Sequence, residues 1–389
     1  MRFTSSILTC LLKSIDRRHF KGLVEKHDAD AYGKCFNSWE HLVTLVYAQL
    51  VGASSLRAIE TGFNAQSNHH YHLGCGRVAR STLADANQRR PVGVFAELLE
   101  RLMSGLGRNT RKEMKAALRL IDSTPVPLSK MFECAASNGR IRGLKLHVLH
   151  DPLSDCPRDI AITPANVNDI WFGRSLDLET GVTYIFDKAY CHFGWWMQIA
   201  AAGSFFVTRP KRNVRWNIIA TRALDDIEGD GFSICADRDV ELASRGSSPK
   251  ELAIKLRRIT IKRETGEFFD IITNDQVRSA KDLAACYKAR WQIELFFKWI
   301  KQNLNIKKFI ATTENAIHLQ IMAAMIAYVL IQKARITTKS KLSTRRFCEL
   351  VGSFIHARRP IAKIDKPPPI NPSKPQSNPN QLVFEYAKV

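Results

Sequence analysis

Apolar positions recur at helical spacing through the first hundred residues. Leu42, Val43, Leu45, Val46 and Leu50 mark a helix over 39–50, and Leu56, Ile59 and Phe63 mark another that begins at Ser54 or Ser55. After a His/Gly-rich loop at 69–76, Ser81 is the expected N-cap of a helix over 82–89, and Pro91 opens the next, through Phe95, Leu98 and Leu99. The pattern then turns to short strands. Residues 118–121 are apolar and are expected to stop at Asp122, where Ser123, Thr124 and Pro125 follow. Residues 144–150 alternate, 160–163 form a third apolar run, a helix is expected over 168–178, and 182–186 lead into a second acid, Asp187. A helix over 192–202 closing on Gly203 and a strand over 204–208 complete an α/β layer. Strand-like runs at 214–219, 232–236, 252–262 and 268–272, punctuated by Gly and Pro, make the next stretch β-rich. Helical periodicity returns from Ala280 to about Ala334.

Composition adds a partner. At 389 residues the length suits two or three domains, and 45% hydrophobic with 24% charged residues excludes wholesale disorder and a small disulfide scaffold. Lys and Arg number 58 against 37 Asp and Glu, a net charge of +21, so a polyanion is needed to relieve self-repulsion and nucleic acid is the first candidate. An acidic membrane surface is the other reading. Nine cysteines without a C-x-x-C pair read as reduced thiols in a cytosolic protein. The apolar run at 7–12 meets Lys13 too soon for a secretion signal, and the longest run, 319–331, contains Gln320 and reads as a core helix. A soluble cytoplasmic protein without a membrane partner is expected. Arg77, Arg80, Arg89 and Arg90 suit either a helical DNA-binding module or an ordinary helical cap, and 360–379, rich in Pro, Lys, Asn and Ser, reads as an unstructured extension.

The chemistry concentrates at 287–301. On one continuous helix, Tyr287, Arg290, Glu294, Lys298 and Lys301 fall within an arc of about 80°, with Ile293, Phe296, Phe297 and Ile300 on the opposite side. Such a face can be an ordinary ladder of i,i+4 ion pairs, worth only about 0.2–0.5 kcal/mol each. Combined with Asp122 and Asp187, however, Glu294 completes a set of hard oxygen donors of the kind Mg²⁺ takes. Two such ions can hold the attacking and leaving oxygens of an in-line phosphoryl displacement.

These residues carry a resemblance. Tyr287-x2-Arg290-x3-Glu294-x6-Lys301 is similar to the Y-R-E-K signature of the fourth insertion-sequence family of bacterial DDE transposases. Residues 120–124 resemble that family's first-aspartate block. Residues 186–190 resemble its second, with Ala189 where Gly is usual, and 206–211 resemble its strand bearing a DNA-contacting arginine. The resemblance implies an RNase H-like catalytic core, a mixed sheet with helices, interrupted by a β-rich insertion and preceded by a helical N-terminal domain. The expected divisions are 1–110 for DNA-end binding, 111–210 and 279–335 for the core, 211–278 for the insertion, and 336–389 for a basic helix and tail. It implies Asp122, Asp187 and Glu294 as catalytic ligands of two Mg²⁺ ions, for which Mn²⁺ can substitute. Tyr287, Arg290, Trp291, Lys298 and Lys301 are the implied DNA contacts, with Arg209 and Lys145 as further ones. Trp291 there would support a flipped base, or else sit in the core. The implied activity is cut-and-paste transposition by a protein that pairs into a homodimer on double-stranded DNA ends. A structure-selective nuclease on the same core and an inactive DNA-binding regulator are the alternatives.

Overall fold

The computed structural model describes residues 5–31, 33, 35–110, 117–128, 136–137, 139, 141–224, 227–242, 254–303, 309–310 and 313–366. Its first elements are helical: α1 (Ile7–Leu12), α2 (Arg17–Lys26), α3 (Ser38–Leu50), α4 (Leu56–Asn64), α5 (His70–Leu73), α6 (Arg80–Arg89) and α7 (Gly93–Thr110). Side chains start them. Asp16 caps α2, Ser55 caps α4, and at α3 the Asn37 side chain and Glu40 cap each other's backbone. Ser81 is not a cap; α6 begins a residue earlier, where the Arg80 N–H donates to Glu60 Oε1 at 3.0 Å. The stretch expected as a loop at 69–76 holds the short α5, because the His70 ring packs on Phe63 and donates to its carbonyl. Arg90 is buried and spends its guanidinium on the Asn37 and Phe36 carbonyls, which removes it from any basic surface.

The strands are β1 (Ala117–Pro127), β2 (Ala136–Ser137), β3 (Arg142–Asp151), β4 (Cys156–Pro164), β5 (Val182–Phe186), β6 (Phe205–Thr208), β7 (Trp216–Thr221), β8 (Glu228–Gly229), β9 (Phe232–Leu242), β10 (Leu256–Arg263) and β11 (Phe268–Thr273). One mixed sheet holds them in the order β2-β3-β1-β5-β6-β11-β10-β9-β7, with β4 on β3 and β8 on β9. The antiparallel β1, β3 and β4, followed by β5 and β6 parallel to β1, form the RNase H-like core. The β-rich insertion joins it edge to edge through β11 on β6 and so extends the same sheet. Two helices, α8 (Ile170–Ser175) and α9 (Phe193–Ala201), cover one face; Phe172, Phe186, Trp195, Trp196 and Phe206 fill the core there. On α9, His192 is the N-cap and Gly203, at φ 69°, takes the left-handed conformation just past the end.

The C-terminal elements are α10 (Ala280–Ala289), α11 (Trp291–Asn303), α12 (Glu314–Thr337) and α13 (Thr344–Ser353). By length and composition α12 could cross a bilayer, yet its apolar window is 78% buried inside the protein. It packs against α3 and α7, and Asn315 donates to the carbonyls of Asn87 and Arg90, so the N-terminal helices share one continuous core with the sheet. Residues 367–379 of the expected extension lie outside the described residues.

Two corrections bear on the site. First, β1 does not stop at Asp122 but runs on to Pro127. Its pairing with β5 ends at Ile121, and from there β1 is bonded only to β3, so Pro125 sits in a one-sided stretch where a missing N–H is tolerated. Second, the helix expected to run unbroken from Ala280 is divided at Arg290. There the Arg290 N–H bonds the Tyr287 carbonyl and the Ile293 N–H bonds the Arg290 carbonyl, two i→i−3 bonds that tighten the chain between α10 and α11.

Candidate active site

Strand register brings the two aspartates together. Ile121 lies opposite Phe186 in the parallel β1–β5 pair, so the next residues, Asp122 and Asp187, leave neighbouring strands side by side at a strand spacing of about 4.8 Å. Arg119 to Ile121 of β1 and all of β5 are buried because helices cover both faces of the sheet. Beyond β5, the Asp187 carboxylate caps a 3₁₀ turn, accepting from the Ala189 N–H at 2.6 Å. Among the described residues Ala189 is not one with positive φ, so this position does not demand the glycine usual in the resembling family.

Glu294 comes from the third side. Ile293, Phe296, Phe297 and Ile300 bury one face of α11, as their spacing predicts, and the opposite face carries Glu294, Lys298 and Lys301 to Asp122. A cleft of about 370 Å³ has Asp122, Thr124, Glu294, Lys298, Lys301 and Gln302 among its walls. Arg290 bridges the carboxylates: Nη1 is 3.5 Å from Asp122 Oδ2, and Nη2 donates to Glu294 Oε1. Burial pushes the Asp122 carboxyl up, and the like charges of Asp187 and Glu294 push the same way. The Ser123 N–H, donating at 2.8 Å, and Arg290 oppose them, and the result lies at about 7.

The helix break redistributes the expected row of five. Tyr287 is buried, its ring 6.0 Å from that of Phe269, and it faces the insertion strands and not the cleft. With Arg290 and Trp291 it lines a second pocket of about 300 Å³ against β9–β11. Trp291 is 59% exposed, which rules out the core position. Arg209 follows β6, and since Thr208 is level with Phe186, it emerges beside Asp187. It opens a trough of about 780 Å³ that also carries Lys211, Arg212 and Arg215, of which Arg212 and Arg215 lie beyond the 206–211 block and have no motif to mark them. Lys145 is elsewhere. Its ammonium sits 3.0 Å from Asp169 Oδ1 and donates to the Val167 carbonyl at 2.8 Å, with only 13% of the side chain exposed, so it is committed to the fold and not offered to DNA.

A divalent cation fits this donor set. The three carboxylates are hard oxygen ligands, burial and then the charges of the other two raise Asp122, and a guanidinium already stands between two of them as the neutralising charge. Among the described residues no group of three or more acidic, His or Cys side chains stands close enough to hold a metal ion as it is.

Comparison with known proteins bears on this arrangement. The family profile described as the transposase DDE domain matches residues 113–330, and a domain of unknown function (DUF4372) matches 4–76. The chain is 52% identical over 306 residues to a Sinorhizobium fredii protein named as a transposase, y4zB, covering 78% of this chain and 85% of the relative. It is 29% identical over 293 residues to a Geobacillus stearothermophilus protein named as the transposase for insertion sequence element IS5377, covering 74% and 76%. A Synechocystis protein named for insertion sequence element IS4SA is 25% identical over 307 residues, covering 72% and 81%. A piggyBac transposase synaptic complex with hairpin DNA superposes with a TM-score of 0.49 at 10% identity, covering 95% of this chain and 84% of that one.

Proposed function

The chain belongs to the DDE transposase family and is a transposase of the insertion-sequence kind, and from that premise we propose that Asp122, Asp187 and Glu294 hold two Mg²⁺ ions for cut-and-paste transposition. The observation that carries the assignment is the register of Ile121 on Phe186, which sets two acids abreast, the first of them in the wall of a cleft that Lys298 and Lys301 also line. When bound, the ions orient the attacking oxygen and stabilise the leaving one. Lys298 and Lys301 hold the phosphates flanking the cut as point charges. Arg290, which stands between Asp122 and Glu294, would offer its planar fork to a phosphate beside a bound cation. Tyr287 supports Arg290 from below, with the guanidinium 5.8 Å from its ring centroid, and exposed Trp291 gives a base a surface to stack on. Arg209 and its trough take the DNA on the Asp187 side. Residues 1–110 form the end-binding region, supported by exposed Arg57, Arg77, Arg80 and Arg89 around α4 and α6. Labelled duplex carrying the element's ends tests this reading: Mg²⁺-dependent 3′-end cleavage and strand transfer are expected, and no cleavage with Mg²⁺ or Mn²⁺ would reject it.

Two further outcomes follow from charge. Affinity for DNA should fall steeply with salt as phosphate contacts release counterions, and Lys298→Ala, Lys301→Ala or Arg212→Ala should each flatten the log–log slope by about one. An affinity indifferent to salt in fluorescence anisotropy would point away from phosphate. Joining two ends to one target also needs two active sites, so the protein should be a monomer alone and a dimer on end DNA. Self-repulsion at +21 per chain opposes pairing until phosphates neutralise it. Light scattering checks this, and a stable dimer without DNA would contradict it.

A further inference from the structure

Next to Asp122 on β1, Ser123, which also borders the cleft, starts a set of partly buried polar groups that the proposed chemistry leaves unused. Its hydroxyl donates to Asp169 Oδ1 at 2.7 Å. The same carboxylate oxygen takes the Lys145 ammonium at 3.0 Å and lies 3.8 Å from His147 Nδ1. His147 in turn shares a hydrogen bond of 2.9 Å with the Thr163 hydroxyl, which ties the group into β3 and β4. From the other aspartate, the 3₁₀ turn capped by Asp187 ends in Tyr190, which is fully buried. Its hydroxyl faces the Ser123 side chain and lies within electrostatic reach of Asp169, Asp122 and Asp187.

The sheet alone does not fix the spacing of the two aspartates. The last ladder pair between their strands is Ile121 with Phe186, so Asp122 and Asp187 stand one residue past the end of the pairing. A metal site tolerates displacements of only about 0.5 Å in its ligands. These groups supply the missing constraint, since Ser123 donates to Asp169 from the Asp122 side and Tyr190, from the Asp187 side, lies within electrostatic reach of the same carboxylate. Burying that carboxylate is costly without a counter-ion, and this accounts for a lysine with 13% exposure at position 145.

We propose that Ser123 and Asp169, with Lys145 as counter-ion and Tyr190 packed against them, are positioning residues that fix the Asp122–Asp187 spacing for a divalent cation. The inference rests on the reading of those aspartates as metal ligands. Titration of the full chain with Mn²⁺, followed by the electron paramagnetic resonance signal of the free ion, tests it without any DNA. Ser123→Ala and Asp169→Asn should each weaken Mn²⁺ binding about 10–100-fold. Ser123→Thr, which keeps the hydroxyl, should bind nearly as the parent does, and affinity for DNA measured without divalent ions should stay within about twofold in all three. Should Asp169→Asn fail to fold because Lys145 is left uncompensated, the Ser123→Ala and Ser123→Thr pair still decides. Unchanged Mn²⁺ affinity in Ser123→Ala, beside a loss in Asp122→Asn, overturns the brace alone. Unchanged affinity in Asp122→Asn overturns the metal assignment and the brace with it.

Discussion

Asp122→Asn, Asp187→Asn and Glu294→Gln are each expected to lower Mg²⁺-dependent strand cleavage by about 10³-fold or more, a barrier increase of at least about 4 kcal/mol. The substitutions keep size and shape and remove one negative charge, so the loss combines weaker cation binding with weaker neutralisation of the charge that builds on the phosphate. Affinity for DNA ends should remain within about twofold or rise slightly, because a carboxylate taken from a cation-walled cleft removes repulsion toward phosphate. Single-turnover cleavage of an end-labelled duplex, beside anisotropy without metal, separates the two quantities. Cleavage within tenfold of the parent in any one variant would take that residue out of the site. The three effects should not add, since each variant already lacks a complete ligand set.

Much of this site is legible in the chain because its residues are set by local periodicity. The apolar strand 182–186 ends in an acid, and the buried stripe Ile293, Phe296, Phe297 and Ile300 fixes which way Glu294 points. What the chain does not reveal is set by partners far away in sequence. β1 continues past Asp122 because β3 bonds it there, although Ser123, Thr124 and Pro125 look like a stop. Tyr287 leaves the row because the chain tightens at Arg290, whose side chain is held by Asp122, more than 160 residues earlier in the sequence. Lys145, in an alternating strand, reads as a cation for DNA until Asp169 is seen beside it. The β-rich insertion is recognisable by its turns, but its attachment to β6 through two residue pairs of β11 leaves no local trace. Ser123 passed as a turn former, and no periodicity could have matched it to Asp169.

The metal-free protein is expected to lose stability as pH rises through about 7, and Asp122→Asn should abolish that loss. In the folded chain the Asp122 carboxyl titrates at about 7, against an ordinary value of 3.8, because burial and the Asp187 and Glu294 charges disfavour its ionised form. A carboxyl raised on folding binds its proton more tightly in the folded state, so its contribution is fully present below about pH 3.8 and disappears as the pH passes about 7. The gap corresponds to on the order of 4 kcal/mol, and relief of such strain should leave metal-free Asp122→Asn more stable than its parent at pH 8.5 by about 5 °C in Tm. At pH 4 the two should melt nearly together. Saturating Mg²⁺ should reverse the order at pH 8.5, since the cation stabilises only the parent by mass action. Calorimetric scans of both proteins at the two pH values, with and without Mg²⁺, measure every term of this comparison. Parent and variant unfolding together at pH 8.5 without metal would show that Arg290 alone already neutralises Asp122, and the cluster would then carry no strain for a metal to relieve.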